Sequence, residues 1–484
     1  MNTSADRPQH RSSRRGRRLS GLEIGVLAHV GILLAAASWI QGGSPAWVRD
    51  WLAAWGSLSL PLLLAAILPR PSGIPPRGAP LRWLWPAGLF TLVTLAACLT
   101  PNYREVHFGP QVLLTAIPMG AWPPSAAVPA ETLRALWLFD ALYLSCFNLA
   151  LVARRRRGLR TLLIFAALNA IALGVFGSIQ RLVESPSMYF GMLPNVNHAL
   201  FFATFAYHNH WGAFALLMII ICLGLGWYYL RQGDATQLVR SPAMMALVGA
   251  ALLALTEPLS ASRSCTLLLL PVFGCALAQW VAQLLRQRRR LHESVAAPLL
   301  ATFAGVGALI AAGWMLAGNI VLARLETTRF QLAQIESGHG TMISRYRDTW
   351  RMARDKLWFG WGMDSYPHVF MQYNSQLINP ADGLYNYYYN AHNDWLQSLS
   401  EHGLIGTALL AGCGLVPLAS LRGRRPGVLA SYLLFGCGLI LLYSLMEFPF
   451  GNPAVVLSWW LCFFTALAHT RLSDRPASSA EAPA

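Results

Sequence analysis

One histidine and three arginines have the chemical character of a site that moves a proton beside a phosphate. A neutral imidazole such as that of His392 can accept a proton from a hydroxyl group. Arginine binds phosphate through a planar fork that is permanently charged. Arg263 stands at the edge of an apolar run, and Arg345 and Arg347 stand in the longest polar segment. These residue types suit a phosphate-binding site that contains a general base, but they do not predict one by themselves.

A second set of polar residues could hydrogen-bond sugar or phosphate. It comprises Asn195, Asn197, Asn209, His210, Asn393 and Asp394. The first four could equally satisfy the backbone of a loop that re-enters a helix bundle. If His392 is not the base, Asp394 and Glu401 are the next candidates. The aromatic residues Tyr385, Tyr387, Tyr388, Tyr389 and Trp395 could form a sugar platform or anchors at a membrane interface.

The sequence predicts neither a metal nor a nucleotide cofactor. All eight cysteines lie inside apolar runs and form no CxxC pair, which indicates membrane packing instead of metal binding. The sequence contains no GxxxxGK[ST] motif, so transport driven by a nucleotide bound to this chain is not expected.

The composition requires a membrane environment. Of 484 residues, 55% are hydrophobic and 12% are charged, and the mean hydropathy is +0.43. Soluble domains carry about 25% charged residues, and about 20 apolar residues span the hydrocarbon layer. We therefore predict an all-α polytopic membrane protein with about 12 transmembrane helices. The apolar runs lie near residues 20–40, 51–68, 82–99, 131–153, 159–180, 210–230, 242–258, 264–285, 296–322, 403–421, 427–446 and 453–470.

The distribution of arginine predicts the orientation in the membrane. The net charge of +16 could indicate nucleic-acid binding, but 25 of the 37 lysines and arginines fall in the tails and in alternate loops. The positive-inside rule then places both termini in the cytoplasm of a bacterium and the remaining loops in the periplasm. We therefore expect the chain to contact membrane lipids and not to bind nucleic acid.

The predicted order is a basic tail (1–19), nine helices (20–322), a large periplasmic loop (323–402), three helices (403–470) and a second tail (471–484).

The large loop is predicted to contain two helices. Residues 342–359 place apolar side chains at helical spacing, which indicates an amphipathic surface helix. A second helix is expected to begin near Asn390, a favourable N-cap, and would hold His392 in its first turn. A helix N-terminus favours the neutral imidazole that a general base requires.

Several segments of the chain form a recognisable pattern. They are Arg345-Tyr-Arg-Asp-Thr-Trp350, Phe359-Gly-Trp-Gly-Met-Asp-Ser-Tyr366, Ala391-His-Asn-Asp-Trp-Leu-Gln397 and Glu401-His-Gly-Leu-Ile-Gly406, with Asn195-Val-Asn-His198, His208-Asn-His-Trp211 and Ser260-Ala-Ser-Arg263 before them. In these segments the chain resembles the O-antigen ligase/polymerase family, over roughly residues 160–450.

The resemblance implies a membrane glycosyltransferase that moves a glycan from an undecaprenyl-pyrophosphate carrier to an acceptor hydroxyl, without metal or nucleotide. It implies that Arg263 and a loop arginine hold the pyrophosphate, and that His392 is the base of an inverting reaction. The usual loop arginine would fall near Met342, so Arg345 and Arg347 compete for that role. The acceptor could be lipid A–core (an O-antigen ligase of lipopolysaccharide biosynthesis), a second lipid-linked repeat (a polymerase) or a protein hydroxyl (an oligosaccharyltransferase).

Two other classes of protein compete with an enzyme. A transporter of lipid-linked sugars would have a similar helix content, but the chain shows no internal repeat and few acidic residues within its spans. A non-catalytic scaffold for envelope assembly would not require the arginines and the histidine of the large loop.

Overall fold

The computed structural model describes residues 19–68, 79–108, 111–117, 123–193, 201–232, 241–336, 341–378 and 386–473. These residues form a bundle of α-helices with one small sheet. The helices are α1 (Gly21–Trp39), α2 (Ala46–Gly56), α3 (Ser59–Ile67), α4 (Trp85–Cys98), α5 (Pro129–Val152), α6 (Arg156–Leu182), α7 (His208–Leu230), α8 (Pro242–Leu259), α9 (Arg263–Leu291), α10 (Ala296–Glu336), α11 (Thr341–Asp355), α12 (Tyr366–Val369), α13 (Asp394–Ala419), α14 (Val428–Tyr443) and α15 (Pro453–Ser473). The strands are β1 (Tyr103–Phe108) and β2 (Gln111–Ala116).

The helices have the length and composition of membrane spans. In the described residues, ten helical segments are long and apolar enough to cross a bilayer, with α2 and α3 counted as one, and the shorter apolar helices α4 and α14 accompany them. Each predicted apolar run overlaps one of these helical segments. The prediction of an all-α polytopic membrane protein is therefore confirmed.

Two helices form the centre of the bundle. The buried share of the apolar window is 83% in α7 and 94% in α15, so other helices surround both. α7 packs against α8 and α14, and α15 packs against α5 and α14. Between α5 and α15, the rings of Tyr143 and Trp460 meet edge to face with centroids 4.8 Å apart. The packing of α7 against α8 and α14 holds this helix in place. His208, Asn209 and His210 form its first turn.

The start of α9 lies directly against α7. A Cβ atom at Gly212 would come within 2.7 Å of the Cys265 Sγ and 2.9 Å of the Ser262 Oγ. Real Cβ contacts are not that short, so the absence of a side chain at Gly212 permits this approach. As a result, Ser262 and the following Arg263 reach the N-terminal turn of α7.

A loop segment is locked into a kink of α13. The helix is interrupted at Gly403, where φ is 62° and ψ is −170°. Four backbone hydrogen bonds of 2.8–3.1 Å join residues 357–362 to residues 400–405 around this kink. Gly360 also has a positive φ of 71°, and a Cβ atom there would lie 2.3 Å from the Glu401 carbonyl carbon. Two of the segments with the recognised pattern therefore interlock through their backbones.

The region between α4 and α5 contains an antiparallel hairpin of β1 and β2. No strand was predicted there from the sequence. The Tyr103 hydroxyl donates a hydrogen bond of 2.8 Å to the Gln372 Oε1, so the hairpin is tied to the segment that follows α12. A two-stranded hairpin is marginally stable alone, and this contact helps to hold it.

Candidate functional site

His392 lies just outside a helix and not in its first turn. α13 begins at Asp394, and Asn393 is its N-cap, whose side chain accepts a hydrogen bond of 3.0 Å from the Leu396 N–H. The predicted helix start near Asn390 is therefore wrong, because the Asx cap forms three residues later. His392 has a left-handed backbone with φ of 55°, a conformation uncommon for residues other than glycine. This conformation turns the chain immediately before the helix begins.

The imidazole of His392 contacts a carboxylate on one edge. Its Nδ1 lies 3.2 Å from the Glu447 Oε2, and the His392 side chain is 29% exposed. The Phe448 ring packs edge to face on it at a centroid distance of 4.7 Å, and the Tyr207 ring lies at 6.4 Å. Within the described ranges, the protein makes no hydrogen bond to Nε2. One ring nitrogen is therefore held while the other is open to a ligand.

Glu447 is a site residue that the sequence reasoning missed. It accepts hydrogen bonds from the Asn209 Nδ2 at 2.7 Å and from the Tyr207 hydroxyl at 3.3 Å. The Tyr207 oxygen itself accepts a hydrogen bond of 2.8 Å from Asn209. An acidic residue just beyond the apolar run of α14 was the available signal in the sequence. The contact with His392 comes from tertiary packing, which no local pattern reveals.

The side chain of Asn209 connects this carboxylate to the start of α9. Its Oδ1 accepts a hydrogen bond of 2.8 Å from the Ser262 hydroxyl. Arg263 is the next residue and opens α9, and its guanidinium donates a hydrogen bond of 2.6 Å to the Thr328 hydroxyl on α10. Asn209 and His392 are therefore joined through Glu447. Arg263 adjoins this network through the backbone of Ser262, while its own side chain reaches α10.

Arg345 and Arg347 have different environments on α11. The Arg345 guanidinium carbon lies 3.9 Å from the centroid of the Tyr388 ring, and its Nε is buried without a hydrogen-bond partner among the described residues. The adjacent Tyr346 donates a hydrogen bond of 2.8 Å to the His392 carbonyl. The Arg347 side chain is exposed. The turn of α11 at Arg345 and Tyr346 thus faces the segment that carries His392.

Several other candidates support the backbone around the site. Asp394 accepts a hydrogen bond of 3.0 Å from the Phe450 N–H, and the His210 Nε2 lies 3.2 Å from the Phe448 carbonyl oxygen. Glu401 is buried and accepts a hydrogen bond of 3.2 Å from the Tyr366 N–H. These contacts fix the turn after α14 and the loop before α12. Asn195, Asn197 and Tyr385 lie outside the described residues.

The phenols around Glu447 are held in their neutral form. Burial raises the pKa of Tyr207, and the neighbouring charge of Glu447 raises it further. Burial and the charge of Glu447 likewise raise the pKa of Tyr346. A neutral phenol donates a hydrogen bond, so both hydroxyls act as donors, to the Glu447 carboxylate and to the His392 carbonyl respectively.

The helix bundle defines a polytopic membrane protein. The pair of His392 and Glu447 lies at one end of its helices, in the part of the fold that also carries Arg263 and Arg345. In the described residues, no group of three or more histidine, cysteine, aspartate or glutamate side chains could hold a metal ion. Residues 248–411 match the family model described as O-antigen ligase, so the chain carries an O-antigen ligase domain. The matched range contains Arg263, Arg345 and His392 and ends before Glu447. No curated protein matches the chain.

Members of this family are membrane enzymes of the O-antigen ligase and polymerase type, which transfer glycans and use lipid-linked glycans as substrates. The resemblance noted in the sequence is thereby confirmed. The protein is accordingly a multi-pass membrane protein that carries an O-antigen ligase domain over residues 248–411.

Proposed function

We propose that this protein is an O-antigen ligase, which transfers a glycan from undecaprenyl pyrophosphate to a hydroxyl of lipid A–core. The observation that carries the proposal is the pairing of His392 with Glu447, in a neighbourhood that includes Arg263 and Arg345. An O-antigen ligase domain that contains three of these four residues supports the same activity.

In the proposed reaction, His392 is the general base. The Glu447 carboxylate accepts the Nδ1–H of the ring, which leaves Nε2 as the proton acceptor. Nε2 takes the proton of the acceptor hydroxyl, and the oxygen attacks the anomeric carbon of the donor sugar. The bond from that carbon to the pyrophosphate oxygen breaks, and undecaprenyl pyrophosphate leaves with the electron pair. A single displacement of this kind inverts the anomeric centre.

Arg263 and Arg345 are proposed to bind the pyrophosphate. Negative charge grows on the leaving group as the glycosidic bond breaks, and fixed guanidinium groups stabilise it. Arg345 is supported over Arg347 by the contact of its neighbour Tyr346 with His392, and by its buried Nε. A buried guanidinium N–H is costly without an acceptor, and a phosphate oxygen would supply one.

The site is proposed to face the periplasm of a bacterial inner membrane, with both termini in the cytoplasm. Three segments rich in arginine mark one side of the membrane. They lie after α5 (Arg154–Arg157), in the last turn of α9 (Arg288–Arg290) and after α13 (Arg422–Arg425). His392 precedes α13, so it stands at the opposite end of that helix from Arg422. The positive-inside rule then supports a cytoplasmic position for the arginines.

The identity of the acceptor is tested by measuring glycan transfer by the purified full chain in detergent. A synthetic undecaprenyl-pyrophosphate-linked oligosaccharide is the donor, and lipid A–core, a second lipid-linked repeat and a serine-containing peptide are offered separately. An O-antigen ligase glycosylates lipid A–core. Transfer to the lipid-linked repeat alone would identify a polymerase, and transfer to the peptide an oligosaccharyltransferase. Donor that binds and is never consumed with any acceptor would contradict glycan transfer and favour a transporter.

A further inference from the structure

Arg49 forms a second charged contact beside the site. It lies in the first turn of α2, where its Nη2 donates a hydrogen bond of 3.0 Å to the Gly451 carbonyl oxygen. Its Nη1 lies 3.7 Å from the Asp364 Oδ2, and the two side chains are 35% and 41% exposed. The Arg49 Nε is buried without a hydrogen-bond partner among the described residues. The guanidinium therefore retains donor capacity next to a half-exposed carboxylate.

Gly451 ties Arg49 to the segment that holds the base. Its N–H donates a hydrogen bond of 3.1 Å to the Phe448 carbonyl oxygen, and the Phe448 ring packs on His392. Arg49 thus approaches the residues 447–451 from the α2 side. Asn209 and Ser262, by contrast, approach Glu447 from α7 and α9. Arg49 and Asn209 therefore contact residues 447–451 from different helices.

Asp364 is fixed in an unusual backbone conformation. Its φ of 58° is in the left-handed region, which aspartate and asparagine adopt more readily than most other residues with a Cβ atom. Backbone N–H groups of Asp364 and Tyr366 both hydrogen-bond the buried Glu401 carboxylate, and this clamp holds the turn. An ion pair as exposed as Asp364 and Arg49 contributes little stability. The contribution of this ion pair to stability is therefore too small to account for a clamped turn that places a carboxylate beside Arg49.

Two exposed aromatic rings lie in the segment that precedes His392. Tyr387 is 45% and Tyr389 is 69% exposed, and their rings meet nearly at right angles with centroids 4.7 Å apart. Burial, the neighbouring Tyr389 and the negative charge of Asp364 raise the pKa of Tyr387, in that order of effect. Tyr387 stands five residues before His392, in the exposed segment that leads to the base.

We propose that Arg49, Asp364 and Tyr387 form a subsite that binds the sugar hydroxyls of the acceptor glycan. The carboxylate accepts and the guanidinium donates hydrogen bonds, as neighbouring sugar hydroxyls require, and the aromatic ring packs on the apolar face of a sugar. The pair carries no net charge, so it suits neutral hydroxyls better than phosphate. The inference rests on the proposed glycan transfer and assigns the acceptor to the α2 side of His392.

The test is the kinetics of Asp364→Asn in the purified full chain. Asparagine tolerates a left-handed backbone and keeps the shape of the side chain, so the turn is expected to stay folded. The KM for the acceptor should rise about 10-fold, the effect of losing one charged hydrogen bond. The KM for the donor and the kcat at saturating acceptor should stay at wild-type values. Glu131→Gln is the matched control, because it removes the exposed ion pair of Glu131 with Arg134 on α5 and should change neither KM.

The alternative is that the ion pair of Arg49 and Asp364 only holds the turn at Asp364 against α2. In that case Asp364→Asn would lower the thermal stability and leave the acceptor KM unchanged, or would raise the KM for donor and acceptor equally. Either result would overturn the subsite. Its failure is distinct from failure of the proposed function, since the wild-type protein would still transfer glycan. A wild-type protein that transfers no glycan to any of the three acceptors overturns both.

Discussion

At the scale of residues, the chemistry depends on which ring nitrogen of His392 is free. The Glu447 carboxylate occupies Nδ1, and Asn209 and Tyr207 hold that carboxylate by hydrogen bonds. A carboxylate that is itself held by two donors keeps the imidazole in one orientation. Nε2 is then the nitrogen that meets the acceptor hydroxyl.

Glu447→Gln should lower kcat by about 10- to 100-fold, less than the loss of the base itself, which is roughly 10²–10⁴-fold. The amide of glutamine holds the Nδ1–H less strongly than a carboxylate does, so the imidazole is less firmly oriented. The measurement is kcat at saturating donor and acceptor. A wild-type kcat in Glu447→Gln would show that Glu447 does not act on His392.

Arg345→Ala and Arg347→Ala form a matched pair on one helix. Arg345 lies against Tyr388 near the His392 segment, whereas Arg347 is exposed. Loss of a charged hydrogen bond to phosphate costs about 1.5–3 kcal/mol, so kcat/KM for the donor should fall roughly 10- to 100-fold in Arg345→Ala. Arg347→Ala should remain close to wild type. The reverse order would assign the pyrophosphate to Arg347.

The sequence was informative about residue types and less so about their partners. The resemblance to the family singled out His392 and Arg263, and the chemistry of imidazole and guanidinium groups agreed with that choice. Glu447 could not be recognised, because its role arises from a contact between α14 and the start of α13 that is distant in the chain. The helix start was misplaced because both Asn390 and Asn393 are suitable caps, and packing selects Asn393.

At the scale of elements, the kink of α13 positions the site. Gly403 breaks the helix where residues 357–362 insert, and the same helix begins immediately after His392. Backbone packing therefore accounts for the glycines in the recognised segments around Gly360 and Gly403. A sequence pattern does not show whether a residue is required for packing or for substrate contact, since both require particular residues at fixed positions.

Gly403→Ala should destabilise the protein. The φ of 62° disfavours a Cβ atom, which would also lie 2.4 Å from the Trp358 carbonyl carbon. A clash combined with an unfavourable backbone should cost at least about 1–3 kcal/mol, seen as a lower thermal unfolding temperature in detergent. Gly414→Ala, in the same helix with its nearest neighbour atom at 3.9 Å, should be neutral or slightly stabilising. Equal unfolding temperatures for both variants would contradict the interlock.

At the scale of the whole molecule, the number and the positions of the apolar helices followed from hydropathy alone. Twelve apolar runs correspond to the ten long and two short apolar helices among the described residues, because spanning the hydrocarbon layer sets their length. The packing order was not accessible from the sequence. That α7 and α15 are central depends on contacts between helices, and hydropathy is similar for buried and lipid-facing spans.

The orientation predicts the behaviour of reporter fusions. An enzyme reporter that is active only in the periplasm should be active when fused after residue 340. It should be inactive when fused after residues 157, 288 and 475, because the arginine-rich segments stay in the cytoplasm. An inactive reporter at residue 340 would place the site in the cytoplasm and would contradict its proposed periplasmic position.

The most direct test of the central claim is the turnover of His392→Gln compared with wild type. Glutamine keeps a polar side chain of similar reach but cannot take up the hydroxyl proton. At saturating donor and acceptor, kcat should fall by roughly 10²–10⁴-fold, while binding of undecaprenyl pyrophosphate and the thermal unfolding temperature stay close to wild type. Near-normal turnover of His392→Gln would contradict the assignment of His392 as the base.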